Sequence, residues 1–459
     1  MEKQSFRLVS LTWPIFLELL LFMLMGSVDT FMLSRVSDDA VSAVGAANQI
    51  VSVAILILEV IGNGAAIVIA QYLGSRMLYE ASRISATAVA LNALVGLALS
   101  LLFLLGGGAM LRAMNLHGDI LAHAETYLAI VGGGIFLQAL INIAAAIVRT
   151  HGFTKETMLV SLGMNVVHVI GNYLLIFGHW GLPELGVKGA AISTVASRLL
   201  CMAVFFWLMY RVMEVRIQAA HYVKLSVTHI RGILRIGIPS AFEQILYHSC
   251  QLVFFFYATF LGAEALASRQ YASNISTYVY LFSAAVGMGT AIITGRLVGA
   301  RRTDEAYGRV WVSVKWAMIA TVAIDLIVIA FRKPLLGLFT DNPDIIRLGA
   351  QVIVLGLLLE TGRTCNLVVI NSLRAAGDAK FPVYIGLISM VGISLPLGYL
   401  LVFRLDMGLA GIWLAIAADE WIRSIVMVFR WRSRAWERYG LVPVREREGP
   451  PEPPAVTAG

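Results

Sequence analysis

The sequence contains a long internal repeat: residues 1–225 align with residues 226–450 at one constant offset of 225 positions. Identical residues at this offset include Pro14 and Pro239, Glu18 and Glu243, Gly62 and Gly287, Gly64 and Gly289, Gly74 and Gly299, Arg76 and Arg301, Glu80 and Glu305, Arg149 and Arg374, Gly152 and Gly377, and Lys155 and Lys380. A duplication of this length predicts two homologous lobes with a cavity between them.

The composition predicts that both lobes lie in a membrane. Hydrophobic residues make up 59% of the 459 positions and charged residues 14%, whereas roughly 25% of a soluble domain is charged. Twelve apolar stretches, six in each repeat, are long enough to cross a bilayer as helices. They lie near residues 10–34, 46–72, 84–106, 126–148, 157–178, 189–211, 235–260, 270–295, 308–331, 349–372, 381–403 and 408–430. We therefore predict an all-α integral membrane protein, with twelve transmembrane helices in two homologous six-helix lobes around a central cavity.

Lys and Arg are divided unequally between the two faces of this predicted bundle. The face that carries both termini holds 23 of them, and the opposite face holds eight. Cytoplasmic loops carry such an excess, so both termini are predicted to be cytoplasmic in a bacterial-type plasma membrane. Anionic lipid accounts for the net charge of +7, so we expect the lipid bilayer, and no nucleic acid, as a partner.

The repeat and the apolar stretches divide the chain into four segments. Residues 1–211 and 232–432 are the predicted six-helix lobes. Residues 212–231 mix basic and apolar side chains, which is typical of an amphipathic linker on the cytoplasmic bilayer surface. Residues 433–459, whose last ten positions include four prolines, are predicted to be a cytoplasmic, disordered tail.

Carboxylates inside the predicted spans give the clearest functional signal. Each costs about 2.5–3.5 kcal/mol near the centre of a membrane helix, so most should face a partner, a wet cavity or the end of the span. The eight are Glu18, Asp29, Glu59, Glu243, Asp325, Glu360, Asp419 and Glu420. Basic residues in the spans are fewer, so the interior is predicted to be net acidic and to attract protons, sodium or a cationic substrate.

Asp29 differs from the others because no basic residue lies within one helical turn of it. It is about 8 Å of helix rise inside the outer end of helix one. Glu18 precedes it by 11 residues, close to three full turns, so both carboxylates occupy one face, which we expect to line a cavity. Asp29 is either a site of cation exchange or a hydrogen-bonded structural residue.

Polar residues on other helices are expected around the same cavity. On helix five, Asn165, His168 and Asn172 form one stripe at i, i+3 and i+7, in which His168 is either a packed residue or part of a relay. Ion coupling is assigned to Asp29, Glu18, His168, Asn172, Glu243 and Glu360, with Asp29 and Asn172 as candidate sodium ligands. The substrate cavity is assigned Gln138, Asn142, Met164, Tyr247, Gln251 and Phe254.

Some charges also have a structural interpretation. Asp419 and Arg423 stand four residues apart and Glu360 stands three before Arg363, so each pair can neutralise itself on one helix face. Glu59 is equally consistent with bracing its helix and with transport, and Asp325 has no identifiable neighbour. Arg149 and Arg374, in matching loops of the two repeats, are expected to contact headgroups or helix ends and to fix the loop geometry.

A set of short motifs, taken in order, resembles the multidrug and toxic compound extrusion family over nearly the whole chain. The motifs are Pro14 with Val28-Asp29-Thr30, Gly45-Ala46-Ala47-Asn48-Gln49, the stretch 62–74, Asn172-Tyr173-Leu174-Leu175-Ile176-Phe177-Gly178, Gly186-Val187-Lys188-Gly189-Ala190-Ala191 and Leu373-Arg374-Ala375-Ala376-Gly377-Asp378. The resemblance implies two lobes that form an outward- or inward-facing V. It also implies export of mostly cationic organic compounds in exchange for protons or sodium, with Asp29 as the leading coupling carboxylate.

The sequence departs from the family pattern at the proposed coupling residues. His168 stands where members commonly have Asn, and Asn172 stands where one branch has Asp. In the sodium-coupled branch a carboxylate often stands near the position of Arg363, whereas here the acid is Glu360, about one turn earlier. The choice between proton and sodium is therefore open at this point.

Other classes of membrane protein fit the sequence less well. The alternative function, a lipid-linked precursor flippase of the same superfamily, needs a basic cavity for pyrophosphate. A channel does not explain two repeated lobes with buried carboxylates. The sequence contains no phosphate-binding loop and no hydrolase motif. We therefore predict a secondary active efflux transporter by alternating access, not an enzyme and without a cofactor, with small organic cations as substrates and a monomeric state.

Overall fold

The computed structural model describes residues 7–443, which form a bundle of long helices without a β-strand. Within this range twelve helical segments follow one another: α1 (Leu8–Leu33), α2 (Asp38–Gly74), α3 (Leu78–Ala113), α4 (Gly118–Gly132 and Ile135–Thr150), α5 (Thr154–Phe177), α6 (Gly186–Val212), α7 (Val227–Thr259), α8 (Ala263–Gly299), α9 (Thr303–Ala330), α10 (Pro343–Ala375), α11 (Lys380–Arg404) and α12 (Gly408–Arg432). Each lies on one of the twelve predicted stretches.

Most of these helices qualify as membrane spans by length and composition alone. In residues 7–443, nine do so, and α4 is the tenth if its two parts, which are bent by 43°, form one span. The other two, α7 and α12, have 33 and 25 residues but carry charged side chains in their interiors. Four of those charged residues are buried and form ion pairs with one another: Glu243, Asp419, Glu420 and Arg423.

The helices form two lobes, each with its own buried core. Ile143 and Phe205 belong to the core of the first lobe, α1–α6. Ile412 and Val369 belong to the core of the second lobe, α7–α12. Helices in a bilayer associate mainly through close packing, since lipid is as apolar as their side chains. Each core therefore comes mainly from one lobe, and Ile233 of α7 joins the core of the first.

The lobes meet near the face of the bundle where α1 begins and α12 ends, which we call the terminal face; the other is the distal face. The bounds of α8 are those of α2 shifted by 225 residues, and the two helices pack against each other. A Cβ atom at Gly74 would clash with the carbonyl oxygen of Arg296, and one at Gly299 with that of Gln71. Glycine is therefore needed at this crossing for the backbones to approach.

The connections between and after the lobes differ from their predicted extents. Helix α7 begins at Val227, so it includes the last residues assigned to the linker 212–231, while the short helix Ala219–Val223 lies within that linker. The prediction of disorder from residue 433 is wrong for residues 433–443. Trp436 in that segment is fully buried and stacks on Trp431 with 4.2 Å between ring centroids, which anchors the chain. Residues 444–459 lie outside the described residues.

Candidate functional site

Asp29 of α1 joins α5 through two hydrogen-bonding groups. Its Oδ1 atom lies 2.6 Å from His168 Nε2 and accepts a hydrogen bond from Asn172 Nδ2 at 2.7 Å. His168 and Asn172 are fully buried, whereas 17% of the Asp29 side chain is exposed. Three of the predicted coupling residues therefore form one cluster, which we call the Asp29 centre.

Helix α6 supplies further groups to the Asp29 centre. Ser197 Oγ lies 3.3 Å from His168 Nδ1, and Ser193 Oγ donates to the backbone carbonyl of His168 at 3.0 Å. Arg198 is buried on the same helix and interacts electrostatically with Asp29. Periodicity within one helix does not connect Arg198 with Asp29, because the two residues lie on different helices, although a mid-span arginine next to Ser197 is a usable signal.

A sodium ion shared by Asp29 and Asn172 would need an oxygen atom from each residue. Its nitrogen Nδ2 faces Asp29, and its buried oxygen Oδ1 has no hydrogen-bond partner. Among residues 7–443, no group of three or more His, Cys, Asp or Glu side chains has the arrangement of a metal site. The role of Asp29 and Asn172 as sodium ligands remains a prediction.

Glu18 lies on the same face of α1 as Asp29 but has its own partners. Arg149 Nη1 is 2.9 Å from Glu18 Oε1, and the hydroxyls of Thr157 and Ser161 donate to the carboxylate at 3.3 Å each. Helix α5 packs along this face and supplies donors to both carboxylates, and the cavity expected there remains a prediction.

The second lobe repeats this ion pair at the matching positions. Arg374 Nη2 lies 2.5 Å from Glu243 Oε2, and both residues are the repeat mates of Arg149 and Glu18. The expectation that the two arginines contact headgroups or helix ends is wrong, since each guanidinium is bound to a carboxylate inside its lobe. A partly buried pair of this kind fixes two helices relative to each other.

The second lobe extends this pair into a branched charge network. Arg423 lies 2.8 Å from Asp419, 3.1 Å from Glu420 and 3.5 Å from Glu243. Arg363 lies 2.7 Å from Glu360 and 3.5 Å from Glu420. The two predicted intrahelical pairs therefore exist, but they share partners across α7, α10 and α12.

Asp325 of α9 lies close enough to this network to interact electrostatically with Glu360. One oxygen of each carboxylate, Asp325 Oδ2 and Glu360 Oε2, is buried without a hydrogen-bond partner. Thr321 lies one turn before Asp325, and Thr364 lies one turn after Glu360. Their Oγ1 atoms are 2.9 Å apart. Sequence spacing did not connect Asp325 with Glu360, because they are on different helices.

The residues assigned to the substrate cavity do not all line one surface. Tyr247 OH accepts from Gln251 Nε2 at 2.9 Å and lies 3.4 Å from Arg363 Nη2. Gln138 and Asn142 bond to each other at 2.7 Å within α4. Two of the six are packed into cores instead: Phe254 is buried in the second lobe, and Met164 packs against the core of the first.

Glu59, for which the sequence allows either a structural role or a role in transport, lies on a helix of the interface between the lobes. It is exposed on α2, the helix that packs against α7 and α8 of the other lobe. It interacts electrostatically with Arg149 of its own lobe and with Tyr280 of the second lobe. The carboxylate therefore lies between the lobes, where the helical period alone could not locate it.

Comparison with known proteins agrees with this architecture. A family model described as MatE matches residues 14–174 and 239–400, one stretch in each repeat. The "Uncharacterized transporter YisQ" of Bacillus subtilis (strain 168) is 42% identical over 438 residues, 95% of this chain and 96% of the relative. The "Probable multidrug resistance protein NorM" of Thermotoga maritima is 28% identical, over 96% of this chain and 94% of the relative.

A solved structure has the same fold despite low sequence identity. It is described as the outward-facing conformation of a multidrug resistance MATE family transporter of the MOP superfamily. It matches with a TM-score of 0.86 and 19% identity, covering 94% of this chain and 96% of that chain. This likeness confirms the predicted all-α membrane fold of twelve helices in two lobes.

Proposed function

Because the chain belongs to the MatE family, the multidrug and toxic compound extrusion transporters, we propose that it exports organic cations in exchange for protons by alternating access. Membership makes it a multi-pass membrane transporter and not an enzyme. The observation that carries the proposal is the Asp29 centre, a partly exposed carboxylate bound to buried polar groups of another helix.

Proton binding at Asp29 would change the packing of α1. When Asp29 is ionised, its Oδ1 atom accepts the hydrogen bond of Asn172 and faces His168. Hydrogen bonds to an ionised acceptor are about twice as strong as neutral ones. A proton on Asp29 removes that charge and weakens the attachment of α1 to α5. Ion loading is thereby linked to a movement of a whole helix.

The groups around Asp29 favour a proton over sodium as the coupling ion. Hard cations are bound by several oxygen atoms, whereas two nitrogen atoms face Asp29 Oδ1. One ring nitrogen of His168 faces Asp29 and the other faces Ser197, an arrangement that offers a route for proton transfer.

A second proton position is proposed at Asp325 and Glu360. The network and Asp325 together comprise five carboxylates against three arginines, Arg363, Arg374 and Arg423. An uncompensated buried charge costs several kcal/mol. Protonation at the two unpartnered oxygens, Asp325 Oδ2 and Glu360 Oε2, reduces this excess.

Glu59 is the carboxylate that we propose to attract the substrate. It is exposed on α2 and interacts electrostatically with Tyr280 of the second lobe. A carboxylate attracts an organic cation. It disfavours the alternative of a lipid-linked precursor flippase, whose pyrophosphate needs basic groups.

The orientation and assembly are also proposals. We propose that the terminal face is cytoplasmic, because it carries the excess of Lys and Arg. Since the lobes are in contact near that face, the arrangement corresponds to an outward-facing state. One chain contains both lobes, so we propose that it works as a monomer.

The test is transport by purified protein in liposomes loaded with ethidium. We expect efflux to follow an imposed pH gradient and to need no nucleotide. Efflux that follows only a sodium gradient would contradict the proton assignment, and transport that needs ATP and ignores both gradients would overturn the proposal.

Asp29→Asn tests the coupling site in the same assay. The substitution keeps the shape and removes the charge, so we expect gradient-driven efflux to fall about tenfold or more, the scale of a coupling free energy. Asp341→Asn, in an exposed loop, is the matched control and should leave efflux unchanged. A stable Asp29→Asn protein that remains fully coupled would reject the assignment.

A further inference from the structure

Two hydrogen bonds between the lobes at the terminal face are related by the repeat. Gln71 Nε2 of α2 donates to the carbonyl of Ala375 at 2.6 Å. Arg296 of α8 donates to the carbonyl of Thr150, with distances of 3.1 Å from Nε and 2.7 Å from Nη2. Gln71 and Arg296 are separated by the offset of 225, as are Thr150 and Ala375.

The acceptors are suited to contacts that form and break. Thr150 and Ala375 are the last residues of α4 and α10, and the last carbonyls of a helix have no partner within it. Gln71 and Arg296 supply that partner from the opposite lobe. When the lobes separate, water replaces it, so the contact opens without leaving a buried polar group unsatisfied.

The glycine crossing of α2 and α8 positions these two donors. Gly74 lies against the backbone of Arg296, and Gly299 lies against the backbone of Gln71. The side chains of Gln71 and Arg296 are therefore attached where α2 and α8 approach each other most closely. Each side chain needs only to reach the end of the neighbouring helix.

The segment after α12 crosses from the second lobe to the first at the same place. Trp436 is buried in the second-lobe core, and its Nε1 donates to the carbonyl of Trp431 at 3.0 Å. Five residues later, the side chain of Leu441 packs against the first-lobe core, and its backbone N–H donates to Gln71 Oε1 at 2.8 Å. One amide group, that of Gln71, thus holds both α10 and this segment.

We propose that Gln71 and Arg296 are the gating residues of the terminal face, and that residues 433–443 form a strap that keeps this gate closed. The proposal rests on the alternating access proposed above, in which the lobes must separate at this face. Separation breaks both hydrogen bonds and the contact of Leu441. The strap therefore sets how often the cavity opens toward the terminal face.

The test measures opening directly, without transport. Thr12 is buried at the interface beside Gly289, and its hydroxyl has no partner. Thr12→Cys in a full-length protein whose three buried native cysteines are replaced by alanine reports opening through its rate of alkylation by a water-soluble maleimide. If the parent shows no gradient-driven transport, the proposed function fails while this measurement still decides the gate.

Three substitutions separate the parts of the gate. We expect Gln71→Leu to raise the alkylation rate about thirtyfold, because it removes two hydrogen bonds that correspond to about fivefold each. Leu441→Pro removes the backbone donor and also replaces the packed leucine side chain, and Gly440 already has a ψ of 137°, which proline accepts in a preceding residue. It should raise the rate about fivefold or more, since it leaves the bond from Gln71 to Ala375 in place. Arg296→Gln keeps a donor and should raise the rate less than Arg296→Leu.

Gln270→Leu is the matched control, because Gln270 is exposed in the distal part of α8. In this variant the cysteine at position 12 should be alkylated at the parent rate. Gel filtration and melting temperature identify variants that fail to fold, and the milder Arg296→Gln and Leu441→Ala then replace them. A Gln71→Leu rate equal to that of the parent would overturn the gate. An increase in Gln71→Leu without one in Leu441→Pro would overturn the strap.

Discussion

At the scale of single residues, Glu59 places an exposed carboxylate on α2, the helix that packs against the second lobe. Its carboxylate is exposed and has an arginine of its own lobe and a tyrosine of the other within electrostatic range. At about 4 Å, opposite charges attract by about 1 kcal/mol in water and about 4 kcal/mol near a protein surface. These limits bound the attraction that we propose between Glu59 and a cationic substrate.

Glu59→Gln should weaken binding of a monovalent organic cation about fivefold or more, because the lost attraction is about 1 kcal/mol even in water. Binding of a neutral compound of similar size should not change. The measurement is the quenching of intrinsic fluorescence by a cationic and a neutral ligand. Glu264→Gln, at the exposed start of α8, is the control. Equal losses for both ligands would mean that Glu59 acts on the shape of the site rather than on charge.

The Asp29 centre shows what residue spacing predicts and what it does not. His168 and Asn172, one turn apart on α5, were expected near Asp29 and are bonded to it. Arg198, which also interacts with Asp29, belongs to α6. Helical periodicity tells which side chains share a face, but the helix opposite that face is fixed by packing of the whole lobe.

At the scale of helices, the two repeat-related ion pairs differ in their surroundings. Glu18 has Arg149 and two hydroxyls, whereas Glu243 has both Arg374 and Arg423. Loss of Arg149 leaves Glu18 without a cation, but loss of Arg374 leaves Glu243 with one. The same pair therefore contributes differently to the two lobes.

A double-mutant cycle in each lobe measures this difference. We expect Glu18 and Arg149, replaced singly and together by Gln, to show a coupling energy of about 2 kcal/mol, typical of hydrogen bonds to charged groups. The coupling between Glu243 and Arg374 should be smaller. The free energy of unfolding in detergent is the quantity to compare, and equal coupling in both lobes would contradict this expectation.

The helices themselves were largely predictable, and their irregularities were not. Apolar stretches located all twelve, but the stretch near 126–148 gave no sign that α4 begins at Gly118 and bends by 43°. The break falls at Gly133 and Gly134, between the two parts of α4. Adjacent glycines permit a bend without requiring it, and the required angle comes from the helices packed around it.

At the scale of the whole molecule, the faces differ in charge. A membrane orients such a chain with its Lys- and Arg-rich loops in the cytoplasm. A cysteine at exposed Ala219, in the linker between α6 and α7, should react with a membrane-impermeant reagent only after the cell membrane is opened. One at exposed Asn342, on the distal face, should react in intact cells. The reverse pattern would contradict the cytoplasmic position of the terminal face.

The two donors of the proposed gate, Gln71 and Arg296, are repeat mates with different side chains. The strap contacts Gln71 through the backbone N–H of Leu441. Gln71 must donate to Ala375 and accept from Leu441, which an amide can do. Arg296 only donates, and a guanidinium offers no acceptor. An amide at one position and a guanidinium at its repeat mate therefore match the different hydrogen-bonding roles of the two side chains in the proposed gate.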